Sequence, residues 1–335
     1  MSTFIALSGF LLLGLVCYDA VQTTLSAARS GPITRLLGRF AWYTALWFYR
    51  RFSRHGLLRA VGPWVTVSLM LVWVGLIWLG WWLVFNSHPT AVFHPDSGTY
   101  ANPVERLYYV GYTITTLGYG DFVAGGAKWQ LLSVVAAANG FFLLTLAVTY
   151  ILSVMSAVVQ KRQLALSIHS LGATPADIVG QWGEEGDFSV LASQTDALKS
   201  TIISVGQQHL AYPILHYYHQ GHAERALPVA LFRLYQALVI VCHGSTSLAP
   251  SVRLQLQATL HALEDFLSVL SQDFVRPARH VPEIDAAWLP AAAGLDRSPE
   301  ALCRYLETLE IQRLWLAYVH KDGWDWRTLW VNELT

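Results

Sequence analysis

From Trp129 to Gln160 the chain runs for 32 residues without an acid, a base or a histidine. As a helix rising 1.5 Å per residue this stretch spans about 48 Å, more than the roughly 30 Å hydrocarbon core of a bilayer, so it must tilt or project beyond the core. Two further stretches, of 23 residues each, are also long enough to cross the core. One runs from about Thr3 to Leu25 with Asp19 as its only charge. The other, Pro63 to Phe85, is uncharged and carries Trp64, Trp73, Trp78, Trp81 and Trp82, with Pro63 placed to begin a helix. Composition agrees: 54% of residues are hydrophobic and 13% charged, about half the charged share of a soluble chain. Lys plus Arg equals Asp plus Glu at 22 each, which leaves no basic excess for nucleic acid, and the apolar content excludes disorder. Cys17, Cys242 and Cys303 form no C-x-x-C pair, so neither a disulfide framework nor a cysteine zinc site is supported.

Flanking charge sets the expected orientation, because cytoplasmic loops near spans are rich in Lys and Arg. Arg29, Arg35, Arg39, Arg50, Arg51, Arg54 and Arg59 lie between the first two spans with no acid among them. Residues 86–128 hold only Arg106 and Lys128 against Asp96, Glu105 and Asp121, and the third span ends at Lys161 and Arg162. A multi-pass protein of the cell (inner) membrane follows, with the N-terminus outside and the C-terminus cytoplasmic. A signal peptide ending near Leu25 is the competing reading of the first span. It lacks a positive leading region and would leave seven arginines outside. In the arginine loop, Leu36, Phe40, Tyr43 and Trp47 recur at helical spacing, which suits either an interfacial helix or a basic topology determinant. The arginines do not recur every third residue through an apolar span, so a voltage sensor is not indicated.

Between the second and third spans stands YYVGYTITTLGYGDF, Tyr108 to Phe122. It is too short and too rich in Gly and Thr to cross as another helix, so it must enter the membrane and return. A short helix over about Asn102 to Thr113 and an extended return strand over Thr115 to Asp121 are expected. Irregular backbone at membrane depth survives only where protein buries it or a water-filled cavity receives it, which implies a pore. Successive backbone carbonyls can form the oxygen cage that a dehydrated potassium ion needs, and Gly118 and Gly120 can take the positive φ this demands.

The segment resembles the potassium-channel pore family, whose signature is a T-x-G-Y-G-D filter between an outer and an inner helix; Thr115 to Asp121 carry the likeness, within about Trp64 to Gln160. The resemblance implies an all-α membrane protein with a tetrameric pore, to which this chain adds an N-terminal transmembrane helix and an α-helical cytosolic domain. It implies K+ sites made by the carbonyls of Thr116, Leu117, Gly118 and Tyr119 and the hydroxyl of Thr116. Thr115, Gly120 and Asp121 would shape the filter, and Tyr108 and Tyr109 would brace Tyr119. The chain departs from the family at Leu117, where Val or Ile is usual, and at Tyr112, where some members hold a carboxylate paired with the filter aspartate. A Tyr112 hydroxyl bonded to Asp121 is the expected substitute. One loop per chain requires a homotetramer in the lipid bilayer.

On the third span, Gly140 suits either a hinge or close packing. Thr145, Thr149, Ser153 and Ser156 form a hydroxyl stripe that either lines a cavity or bonds back to its own helix. Asn139 faces the cavity or a neighbouring helix. Asp19, near the inner end of its span, is expected to pair with the arginine loop.

Residues 161–335 carry 13 Lys plus Arg, 18 Asp plus Glu and nine His, as befits a soluble acidic domain. Helices are expected from Thr174-Pro175 onward and over about Phe188–Gln207, Ala223–Cys242, Ser251–Asp273 and Ser298–His320. No dinucleotide-binding glycine motif is present. His216, His219 and His222 are weak metal candidates set against ordinary structural placement. The expected domains are 1–60, 61–160 and 161–335. The expected function is a K+ channel without a cofactor, open to an unknown cytosolic ligand, with no nucleic-acid partner and no enzymatic chemistry. A weakly selective cation channel and a non-conducting sensor or scaffold are the alternatives.

Overall fold

The computed structural model describes residues 2–26, 30–52, 55–183, 186–290 and 294–331, with the side chains of 42, 45–59, 272 and 273 outside the description. Among the described residues, four helices are long and apolar enough to cross a membrane. They belong to α1 (Ser2–Leu25), α3 (His55–Asn86), α5 (Ala127–His169) and α8 (Leu227–Gly244). The first three leave most of their surface outside the protein, with 28 to 33% of the apolar window buried, whereas 89% of the α8 window is buried. A helix that is apolar all round must be covered by protein or lipid, and α8 is covered by protein. It is the core of a folded domain, as expected of a helix beyond the third span.

The chain forms two compact units, one of residues 1–50 and 61–155, the other of 51–60 and 156–335. The N-terminal span therefore shares a unit with the pore segment. Gln160 lies inside α5, which continues to His169. Pro63 lies inside α3 instead of starting it.

In the first unit, α1 docks on α3 where two glycines meet. A Cβ on Gly9 would stand 2.7 Å from the carbonyl of Gly80, and one on Gly80 would stand 2.8 Å from Leu13. Without side chains at these points the backbones approach closely, the usual device where lipid offers no hydrophobic drive. The amphipathic α2 (Pro32–Phe52) follows α1 and exposes Leu36, Phe40 and Tyr43; Arg54 and the side chains of Trp47, Arg50, Arg51 and Arg59 lie outside the described residues. A short helix, α4 (Pro103–Ile114), sits between α3 and α5. The strands β1 (Val92–Phe93) and β2 (Val123–Ala124) pair antiparallel, Val92 opposite Ala124. They tie the chain that leaves the loop to the chain that leaves α3. The expected strand over Thr115–Asp121 does not form; alternating backbone hand there is incompatible with a ladder.

The second unit is helical: α6 (Pro175–Trp182), α7 (Ser189–Ala211), α8, α9 (Pro250–Asp273), α10 (Pro299–Thr308), α11 (Ile311–Lys321) and α12 (Trp326–Trp330). The Thr174 side chain caps α6 as Thr-Pro predicts. The run Ser298–His320 splits in two because Leu309 leaves helical geometry at ψ 111. Trp315, Trp326 and Trp330 pack in the core around Phe232 of α8.

Candidate functional site

The loop is aimed by α4, and α4 is held at both ends. At its start Asn102 Oδ1 accepts the N–H groups of Val104 (2.9 Å) and Glu105 (3.0 Å), while Glu105 Oε2 accepts that of Asn102 (2.7 Å). This capping box, with Pro103 in the first turn, satisfies donors that the helix leaves open. Two indoles of α3 grip its side one turn apart. Trp82 Nε1 donates to Pro103 O and Trp78 Nε1 to Leu107 O, each at 2.8 Å. Gly111 makes room for Trp78, since a Cβ there would lie 2.8 Å from the indole. At the other end the Ile114 carbonyl rests on Gly140 of α5, where a Cβ would stand 2.1 Å from it. Packing accounts for this glycine, and α5 runs unbroken through it.

Past Thr115 the backbone changes hand at every second residue: Thr116 has φ +59°, Gly118 +56° and Gly120 +84°. Alternation of this kind brings successive carbonyl oxygens to one side of a chain. Two of the three positions are glycines, as the sequence predicts. The third, a β-branched threonine, costs about 1–3 kcal/mol in this region and carried no sequence signal. Its turn is held by hydrogen bonds from Thr116 N to Thr113 O (3.1 Å) and from Leu117 N to Tyr112 O (2.9 Å). Thr115 to Gly120 are all exposed in the single chain, Leu117 by 61% and Tyr119 by 65%.

Behind the loop stands a cuff of aromatic rings. Tyr119 stacks on Tyr108 (6.4 Å, 9°) and meets the edge of Tyr112 (5.9 Å, 72°). Tyr112 in turn meets Tyr109 (5.4 Å), which contacts Phe85 (5.3 Å) and bonds Ser133 of α5 through its hydroxyl. The Tyr112 hydroxyl donates to the Phe122 carbonyl at 2.6 Å and not to Asp121, whose Oδ1 accepts the Phe122 N–H at 3.2 Å. The expected substitute bond is thus displaced by one residue, to the main-chain carbonyl that follows Asp121.

Three candidates on the spans resolve differently. Asn139 faces neighbouring helices: its Oδ1 accepts Trp81 Nε1 (3.0 Å) and its Nδ2 donates to Cys17 Sγ (3.2 Å), joining α5 to α3 and α1. Asp19 meets no arginine among the described residues. Fully buried, it accepts the N–H groups of Ile33 (2.6 Å) and Thr34 (3.3 Å), the Thr34 hydroxyl (2.7 Å) and Trp73 Nε1 (2.9 Å). A carboxylate at a helix start is favoured by the open N–H groups and the dipole. Thr145, Thr149 and Ser153 bond back to the carbonyls four residues earlier; both threonines are exposed.

Among the described residues no group of three His, Cys, Asp or Glu is placed to hold a metal. His216 stacks on Phe274, His219 faces Asp322 at 3.6 Å, and His222 precedes a short 3-10 turn.

Helix, re-entrant helix, loop of alternating hand and helix define a membrane protein built around an ion pathway. Residues 66–157 match the profile of a family described as Ion channel. A Bacillus subtilis (strain 168) protein, designated uncharacterized membrane protein YdjJ, is 31% identical over 279 residues, which cover 82% of this chain and 81% of its own length. No solved structure matches the chain. Residues 66–157 belong to the two-transmembrane ion-channel family, that of the potassium-channel pore.

Proposed function

We propose that the protein is a potassium-selective channel in which four copies of the loop surround one axis and conduct K+ passively. The observation that carries this reading is the alternation of positive φ at Thr116, Gly118 and Gly120. On it the carbonyls of Thr116, Leu117, Gly118 and Tyr119, with the Thr116 hydroxyl, replace the ion's hydration shell. Exposure of every residue from 115 to 120 supports a wall supplied by further copies of the chain. The C-terminal end of α4, with its negative partial charge, runs directly into Thr115 and favours a cation there. Beneath it Thr145, Thr149 and Ser153 line the cavity, the inner helices gate, and the C-terminal unit, on the cytoplasmic side, modulates opening.

Purified protein in liposomes tests the proposal. Wild type is expected to carry thallium and K+ flux, and Gly120→Asp to abolish it. Bi-ionic reversal potentials then grade selectivity. Leu117 favours the second reading, a weakly selective pore, because its side chain is freer than a β-branched one; equal Na+ and K+ permeability would select it. Absence of flux in wild type would leave the non-conducting sensor or scaffold.

A further inference from the structure

The C-terminal unit holds a small cavity unrelated to the pore loop. It has a volume of about 10 Å3 and is lined by Lys161, His216, Phe274, Tyr318, Lys321 and Asp322. That volume admits one water-sized occupant. Lys161 is buried, 4% exposed, and donates to the carbonyls of Leu215 (3.3 Å) and Tyr218 (3.1 Å). An ammonium has three N–H donors, so one remains for the cavity. Lys321 bonds the Phe274 carbonyl and lies over its ring, 3.4 Å from the centroid. Tyr318 is 3% exposed, and its hydroxyl has no partner among the described residues.

The walls therefore carry two ammonium groups against one carboxylate, and Asp322 also faces His219 Nδ1 at 3.6 Å. Burial first, then the neighbouring His209 ring and the charges of Lys161 and Lys321, hold the His216 imidazole well below its usual pKa. It enters as a neutral group with one ring N–H to give. Lys161, Lys321, Tyr318 and His216 bring donors, the Asp322 carboxylate brings acceptors, and the two ammonium groups outnumber the one carboxylate. Asp322 could accept from a water, so the excess of ammonium over carboxylate charge, which a neutral water leaves unbalanced, is what favours an anion.

We propose that this cavity binds a small monovalent inorganic anion of the halide class, held by Lys161, Lys321 and Tyr318. Burial holds the Lys321 ammonium down to about 8 and also lowers Lys161, against the opposing pull of Asp322, and a bound anion would raise both. The site stands whether or not the pore conducts, and its test reads binding alone. Full-length protein is purified in potassium gluconate and its thermal unfolding followed as chloride replaces gluconate at constant ionic strength. A saturable rise in Tm is expected. Tyr318→Phe, which removes only an unpartnered hydroxyl, should move the chloride midpoint up about tenfold, the worth of one hydrogen bond to a charged group. Lys321→Gln should abolish the response. Equal behaviour in chloride and gluconate would mean that water alone fills the cavity and would overturn the proposal, as would a wild-type chloride midpoint in Tyr318→Phe.

Discussion

Thr116 combines two demands in one residue, a left-handed backbone and a hydroxyl, and substitution can separate them. Thr116→Val keeps the β-branch and the strain but loses the hydroxyl; K+ flux is expected to fall about tenfold, the scale of a lost bond to a charged group. Thr116→Ser keeps the hydroxyl, relieves the crowding and should conduct, with single-channel recording or liposome flux as the measure. Tyr112→Phe removes the donor to Phe122 O and should lower Tm by the equivalent of about 1 kcal/mol per subunit. A pH effect belongs to the second unit. His209 is buried and bonded through Nδ1 to Val205 O, and burial holds its pKa down to about 3 against 6.5 for the free group. The unfolded chain binds the proton first, so stability should fall as pH drops through 6.5 toward 3, by about 1.4 kcal/mol at pH 5.5. Thermal melts of wild type and His209→Leu across that range should diverge; parallel curves would remove His209 as the cause. Gly118, Gly120 and the aromatic residues were readable as a local motif. The hand of Thr116 was not, because nothing in a threonine's neighbours advertises positive φ.

Helices α1, α2 and α3 meet at Asp19. Asp19→Ala would leave Ile33 N, Thr34 N and Trp73 Nε1 without their acceptor, a loss of about 3 kcal/mol or more. Asp19→Asn keeps one oxygen and should lose less, as a denaturant melt in detergent would show. Gly140→Ala drives a methyl into the Ile114 carbonyl and should cost about 1–3 kcal/mol and abolish flux. Gly75→Ala is the control, since a Cβ at Gly75 meets nothing within 4 Å; equal effects from the two would refute the packing role. Helix positions were legible from periodicity and charge flanks. Their joints were not, because Asp19 with Trp73, or Asn139 with Cys17, are partners far apart in sequence. One joint did leave a trace: Trp78 and Trp82, four residues apart, mark the face of α3 that grips α4.

For the whole molecule, a four-copy pore makes a dosage prediction. Mixing wild-type and Gly120→Asp chains in equal amount should leave about one sixteenth of assemblies with only wild-type loops. Flux falling to about that fraction would fit four copies, and a fall to one half would refute the shared loop. Replacing K+ by Na+ should also lower the melting temperature of the assembly, because an ion bound at a shared site stabilises it. The contrast between the apolar helices near the N-terminus and the more charged helical unit that follows was legible from charge alone. The unit boundary was not, because α5 passes through it without a turn, proline or glycine cluster. One consequence concerns biosynthesis. α8 is apolar and long enough to be mistaken for a span, and α9 to α12, which pack on it, are all made after it. Until they emerge, the insertion machinery meets a fourth candidate in which Arg233 is the one Lys, Arg, Asp or Glu to argue against entry, at up to about 2.5–3.5 kcal/mol. The carbonyls that receive that guanidinium, Thr328 and Leu329, are in α12. A chain truncated before α12 should therefore be prone to inverted or over-inserted topologies, readable by glycosylation or cysteine-accessibility mapping of the nascent protein.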